Sequence, residues 1–190
     1  MQYCFKAPFE TMMEMLVKTI IPWFASLLVA TALASTQAAE AGPAGVPQPL
    51  CKGGTSCQID GFSVQFFGCG DGGLYGAISA SGTGGVTLND RIDGHGQAVG
   101  RLKDNQFVCV AASATARRGG DPRYYVIAIP TRSVPACNGN ALCEKRDLPI
   151  TWNTATTGKA CQLGGDGLYH GDCAAGWIDE GQLDQYANGL

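Results

Sequence analysis

The sequence predicts a mainly β protein, built as a small antiparallel sheet, sandwich or barrel with an irregular, disulfide-cross-linked C-terminal segment. Three observations predict it. Short apolar runs follow one another from residue 51 onward, separated by turns rich in glycine, which supplies 27 of the 190 residues. No long helical pattern lies between these runs. Eight cysteines, an even number, fall within residues 51–190.

Alternation identifies the first strand, because the apolar Phe62, Val64 and Phe66 are separated by the polar Ser63 and Gln65. Strands spaced this closely are typical of antiparallel pairing. The remaining strand candidates are Leu74–Ala80, Val86–Ile92, Gln97–Leu102, Gln106–Ala112, Tyr124–Ile129 and Pro149–Trp152.

Two of these regions carry more specific predictions. The runs Val99–Leu102 and Gln106–Val110, joined by the polar Lys103–Asn105, predict a hairpin. The β-branched and aromatic residues of Tyr124–Ile129 favour a central position in the sheet. Pro130 should end that strand because proline has no N–H for the ladder.

The C-terminal third differs in character. Residues 131–176 contain few strand signals, many turn residues and four of the cysteines. We therefore expect an irregular, cross-linked segment laid over the sheet. Residues 178–187 predict one short helix, since Leu183 and Tyr186 fall on one helical face, although Gly181 disfavours it.

The eight cysteines predict four disulfides and no free thiol, in an oxidising compartment. Two local bridges are expected, because short loops close at low entropic cost, and Cys109 should be tied to one of three upstream cysteines. The zinc-finger spacings are absent, so no metal site is expected. The local pairs are Cys137–Cys143 and Cys161–Cys173, and the candidates for Cys109 are Cys51, Cys57 and Cys69.

Residues 1–38 predict a cleaved export signal, preceded within that range by an N-terminal extension over residues 1–11. Lys18 supplies a positive charge ahead of the apolar run Ile20–Ala30, and small residues follow it up to Ala38. The run is shorter than the roughly 20 apolar residues that span a bilayer. We therefore expect a periplasmic or secreted protein that has no membrane contact after cleavage.

Downstream of the signal, residues 39–50 are mostly alanine, glycine and proline and predict a flexible leader. Residues 51–190 are then expected to form a single disulfide-rich β domain. The formal net charge of −3 argues against a nucleic-acid partner, because phosphate binding needs a basic surface. No phosphate-binding glycine loop is present, and no cofactor is expected.

Two loops are candidates for binding another protein. Thr83, Gly84 and Gly85 lie in a glycine-rich stretch between two strand candidates and predict a narrow hairpin tip suited to another protein's cleft. Arg117 and Arg118, together with Arg123, form the one dense basic spot, for which a solvated loop is the plainer interpretation.

Catalytic candidates are few. His95 and His170 are the two histidines, and each lies among glycines with an aspartate two residues away. If the protein were an enzyme, His170, Asp172 and Asp166 would be its catalytic residues. No serine in an elbow motif accompanies them.

The leading functional hypothesis is an exported, non-catalytic protein that binds another macromolecule. A periplasmic inhibitor or an immunity protein against a cell-wall-degrading toxin would fit, since a rigid cross-linked loop loses little entropy on binding. One alternative is a small exported hydrolase acting on cell-wall or carbohydrate material. Another is a carbohydrate-binding module, whose stacking groups would be Trp152, Trp177, Tyr124 and Tyr125.

Overall fold

The computed structural model describes residues 55–70, 72–80, 82, 84–186 and 190, and its main element is an open ten-stranded sheet. A separate two-stranded sheet is formed by β9 and β10. All strand pairs are antiparallel, which confirms the predicted fold class. The strands are β1 Ser56–Ile59, β2 Phe62–Phe66, β3 Leu74–Ile78, β4 Val86–Asn89, β5 Ala98–Leu102, β6 Phe107–Ala116, β7 Arg123–Ala128, β8 Thr151–Trp152, β9 Gln162–Leu163, β10 Tyr169–His170, β11 Ala175–Asp179 and β12 Leu183–Gln185.

The large sheet has the order β1-β2-β6-β7-β11-β4-β5-β8. Strand β6 is ten residues long and divides one edge between two partners. Its first half pairs with β3 and its second half with β2. On the other edge, the pairing with β7 has a register shift between Val110 and Ala112. Strand β7 lies between β6 and β11, so the predicted central position of Tyr124–Ile129 is confirmed.

Both faces of the sheet are buried. One cluster joins apolar residues of β3, β4, β5, β6, β7 and β11, and Leu88, Leu102 and Val126 are fully buried within it. The opposite face includes the fully buried Phe107 and is covered by residues of the C-terminal segment. The covering residues are Val134, Cys143, Tyr169 and Cys173. The prediction of an irregular segment laid over the sheet is therefore confirmed.

Disulfides tie this arrangement together. Both predicted local bridges are present, and Cys109 of β6 is bonded to Cys69. Cys57 is disulfide-bonded as well, and Cys51 lies outside the described residues. The three described bridges are Cys69–Cys109, Cys137–Cys143 and Cys161–Cys173. Such bridges are typical of proteins from oxidising compartments.

The predicted hairpin between Val99–Leu102 and Gln106–Val110 is wrong. The chain does turn there, since Gln106 N–H donates to the carbonyl of Lys103. However, β5 pairs with β4 and β8, whereas both edges of β6 are occupied by β2, β3 and β7. Leu102 and Val108 are buried in the same cluster, so burial of apolar side chains overrides the local turn signal.

The predicted helix over residues 178–187 is also wrong. Strand β11 runs to Asp179, a single 3-10 turn follows over Glu180–Gln182, and β12 comes next. Ala187 lies outside the described residues. Ile178 pairs with β7 and Leu183–Gln185 pairs with β3, so strand pairing at both ends of this segment outweighs the weak helical pattern.

Candidate functional site: the cross-linked β9–β10 hairpin

The β9–β10 hairpin is an exposed loop of the C-terminal segment. Leu163 pairs with Tyr169 and Gln162 with His170. Its tip is closed by the N–H of Gly164, which donates to the carbonyl of Leu168 at 2.7 Å. Residues 165–168 are all exposed. The hairpin therefore presents a narrow, hydrogen-bonded tip to solvent.

The root of the hairpin is fixed on the core. The disulfide Cys161–Cys173 closes its base, and Cys173 is buried. Tyr169 is buried too, and its hydroxyl lies 2.8 Å from the hydroxyl of Ser133. A strand pair of only two residues on each side would be marginal alone. The disulfide and the tyrosine contact therefore decide how rigidly the tip is held.

Asp172 braces the chain beside the root. One of its carboxylate oxygens accepts hydrogen bonds from the N–H and hydroxyl of Thr157, both at 2.9 Å, and the other accepts from Gly158 N–H at 2.7 Å. These donors, the Thr157 N–H first, hold the pKa of Asp172 below its ordinary value. Gly171 (φ +89°) lies against the carbonyl oxygen of Ala160, which leaves no room for a side chain.

His170 and Asp166 are hydrogen-bonded across the tip. The His170 Nε2 atom lies 3.0 and 2.9 Å from the two carboxylate oxygens of Asp166. Leu168 N–H also donates to this carboxylate, at 3.1 Å. The histidine contact, followed by the Leu168 N–H, lowers the pKa of Asp166. The imidazole lies over Gly164, where a Cβ atom would meet His170 Cδ2 at 2.6 Å.

The three catalytic candidates are thus divided by the structure. His170 and Asp166 are in contact, whereas the carboxylate of Asp172 is occupied by the loop at Thr157 and Gly158. A carboxylate that holds an imidazole orients it as a base. Within the described part of the chain, no hydroxyl or thiol forms a hydrogen bond with the His170 ring, and no group of three potential ligands is placed to hold a metal.

The tip also carries exposed apolar side chains. Leu163 is 42% exposed and Leu168 is 40% exposed, and they flank the glycines of the turn. The other large apolar residues exposed to this degree among the described residues are Leu74 (38%) and Leu142 (39%). Two of these four exposed leucines therefore lie on one small hairpin.

The other predicted binding loop around residue 84 has a different geometry from the one expected. Strands β3 and β4 flank it but do not pair with each other, so it connects two parts of the sheet and is not a hairpin tip. Gly84 accepts a hydrogen bond from the guanidinium of Arg101 at 3.0 Å. Gly85 (φ +69°) lies against the carbonyl oxygen of Leu102, where a side chain would not fit. Thr83 lies outside the described residues.

Arg117 and Arg118 lie at the tip of the β6–β7 hairpin, and both are exposed. The Arg117 N–H donates to the carbonyl of Gly61, which joins this tip to the β1–β2 turn. Arg123 is occupied, since its guanidinium contacts Asp179 at 3.1 Å and the carbonyl of Ile92 at 2.8 Å. The basic tip is therefore formed by the adjacent pair alone.

His95 and the aromatic candidates have structural surroundings. His95 is exposed, and its backbone N–H donates a hydrogen bond to the carboxylate of Asp93 at 2.9 Å, which orders the loop. Tyr125 and Trp177 are buried in an edge-to-face contact with centroids 5.3 Å apart, and burial raises the pKa of Tyr125. These two rings belong to the core and offer no face for sugar stacking. Tyr124 and Trp152 are partly buried against the other cluster.

Sequence reasoning missed Leu163 and Leu168. A signal was present, because both are large apolar residues inside a glycine-rich loop bounded by Cys161 and Cys173. A loop this short has no interior in which to bury them.

No helix in the described part of the chain has the length and apolar character needed to cross a bilayer. Comparison with known protein families, with curated proteins and with solved structures found no match for this chain.

Proposed function

We propose that this chain is an exported, non-catalytic protein that binds another protein, as a periplasmic inhibitor or as an immunity protein against a cell-wall-degrading toxin. In this proposal the β9–β10 hairpin enters a cleft of the partner. One observation carries it: two exposed leucines, Leu163 and Leu168, sit on a narrow tip whose root is fixed by a disulfide and by a buried tyrosine.

Rigidity is what makes such a tip effective. Burying a leucine side chain contributes about 1.5–3 kcal/mol, whereas ordering a loose loop on binding costs part of that gain. Here the backbone hydrogen bond between Gly164 and Leu168 and the hydrogen bond between His170 and Asp166 already order the tip. Most of the apolar gain is then available for affinity.

The polar groups of the tip complement this role. His170 and Asp166 are both half-exposed and can form hydrogen bonds at the rim of a cleft around the leucines. The net charge of −3 favours association with a basic partner. An apolar anchor with a polar rim is the usual anatomy of a specific protein interface.

The proposal is tested with a matched pair of double variants. Leu163→Ser/Leu168→Ser removes the apolar tip, and Leu74→Ser/Leu142→Ser removes two equally exposed leucines elsewhere. Wild type and control should capture the same protein from a periplasmic extract and inhibit the same cell-wall hydrolase. The tip variant should bind about 100-fold more weakly. Equal binding by both double variants would exclude the hairpin as the binding element.

A small exported hydrolase is the second candidate, favoured by the contact between His170 and Asp166. It predicts that the wild-type protein releases soluble fragments from peptidoglycan and that His170→Ala abolishes this activity. Hydrolysis that disappears in His170→Ala would replace the inhibitor proposal. Hydrolysis that persists in this variant would assign the activity to another site.

A further inference from the structure

The disulfide at the root of the β9–β10 hairpin differs from the other two described bridges in what depends on it. Cys69–Cys109 joins a loop to β6 inside the large sheet, where Cys109 is fully buried. Removing it would leave the ladders on both sides of β6 in place. Its loss therefore does not by itself free any exposed element.

Cys137–Cys143 closes a ring that is also held by hydrogen bonds. The N–H groups of Cys137, Asn140 and Cys143 each donate to a carbonyl three residues earlier. In addition, the hydroxyl of Tyr186 donates to the carbonyl of Leu142 at 3.0 Å, which attaches the ring to the core. These bonds keep the ring folded when the sulfurs are separated.

The ring closed by Cys161–Cys173 is the one that carries an exposed tip, and besides the disulfide it is attached to the core through the buried Tyr169 and to the neighbouring loop through Asp172. It contains the whole hairpin, which is a separate sheet of two residues on each side and shares no ladder with the large sheet. A pairing of this size is not stable in water without further constraint. We therefore expect this bond to contribute more to the order of the exposed tip than to the order of the sheet.

We propose that Cys161–Cys173 is a redox latch, which presents the hairpin for binding while it is closed and releases it when a dithiol reductant opens it. This inference rests on the proposed binding function of the hairpin. Reduction begins when a reductant thiolate attacks the half-buried Cys161 sulfur, and Cys173, which is buried, leaves as a thiolate and is protonated. The second thiol of the reductant then displaces Cys161. Two electrons and two protons pass to the cysteines, and the reductant becomes a disulfide.

Hydrogen exchange with peptide-level mass spectrometry tests the latch without a partner. The samples are wild type, Cys161→Ser/Cys173→Ser and the control Cys137→Ser/Cys143→Ser. In the first variant the amides of residues 162–170 should exchange about tenfold faster or more, while those of β6 and β7 keep wild-type protection. The control should leave the hairpin protected. Unchanged protection of the hairpin, or loss of protection in β6 and β7 as well, would overturn the latch.

A second arm separates this inference from the proposed function. Wild type treated with dithiothreitol should lose its captured partner, and Cys161→Ser/Cys173→Ser should not capture it at all. If oxidised wild type captures nothing, the proposed function fails, while the exchange experiment still decides whether the bond orders the hairpin. If oxidised and reduced protein bind the partner equally, the binding function stands and the latch is wrong.

Discussion

The large sheet and the C-terminal segment that covers it are stabilised by different means. The strands of the sheet are held by their ladders and by two apolar clusters, and Gln106 is the single buried polar residue among the described ones. In the segment, two disulfides and the side chains of Asp147, Asp166 and Asp172 hold the backbone. Asp147, for example, accepts hydrogen bonds from the N–H and hydroxyl of Thr131, both at 2.9 Å.

The comparison shows how an irregular segment can be held in place without regular secondary structure. Ladders satisfy backbone groups in pairs, whereas loops leave them to side chains. Short carboxylates reach several N–H groups at once, which explains why aspartates fill the turns of the segment. Apolar substitutions should therefore damage the sheet most, and changes of covalent linkage or charge should damage the segment.

The largest effect is expected from truncation in the core of the sheet. Phe107 is fully buried and stacks on Tyr75, with ring centroids 5.6 Å apart. Phe107→Ala should lower the free energy of unfolding by about 3–5 kcal/mol, because a cavity remains. Thr115→Ala, at an exposed position of the same strand, should change it by about 0.5 kcal/mol or less. Urea denaturation measures both, and similar losses would contradict the assignment of β6 as the core strand.

The loss of stability on removing a disulfide should increase with the length of chain that the disulfide closes. The separation is 12 residues for Cys161–Cys173 and 6 for Cys137–Cys143. The entropy of the unfolded chain then predicts losses of about 3 and about 2 kcal/mol for the paired serine variants. Thermal unfolding of each variant checks the order. A reversed order would show that the longer ring is strained or that the shorter one retains structure when unfolded.

The hydrogen bonds that Asp172 accepts should make the stability of the protein depend on pH. Because the folded-state pKa of Asp172 is lowered from 3.8, its stabilisation is present above that value and is lost as pH falls through the folded pKa. Asp172→Asn should therefore melt below wild type at pH 7, and the difference should shrink as pH falls below about 4. Asp121→Asn, at an exposed position outside the segment, is the control. A difference in melting temperature that stays constant down to pH 2 would contradict the stabilising role of these hydrogen bonds.

His170→Ala should have the smallest effect. The His170 ring is half-exposed, and its contact with Asp166 is solvent-accessible. We expect a change in unfolding free energy of about 0.5 kcal/mol or less. Calorimetry of the variant at pH 7 checks this. A melting temperature far below that of wild type would make His170 a structural residue of the hairpin rather than a group presented to a partner.

Local patterns predicted much of the sheet. The strand candidates from Phe62 to Ile129 match β2 to β7 because each carries its own alternation or β-branched content. Strand β11 was missed, since an apolar run such as Ala174–Ile178 is identified as a central strand only by its neighbours. The arrangement of β5 and β6 was also beyond the sequence, because a turn signal does not show whether two strands will pair or face each other across a core.

The candidate site was less predictable for the same reason. Local disulfides follow from spacing, and Cys161–Cys173 was expected on that basis. The contact of His170 with Asp166 joins residues four apart and was within reach, but the capture of Asp172 by the loop at Thr157 depends on tertiary placement. The exposure of Leu163 and Leu168 likewise depends on whether another part of the fold covers them, which the sequence alone does not show.

Strand β11 lies between β7 and β4, although it is nearly the last strand in the chain. Without it, β4, β5 and β8 form no ladder with the rest of the large sheet. During synthesis from the N-terminus, the sheet therefore cannot be completed until Ala175–Asp179 has emerged. If the export signal predicted for residues 1–38 operates, this late completion would keep the sheet open while the chain crosses a membrane.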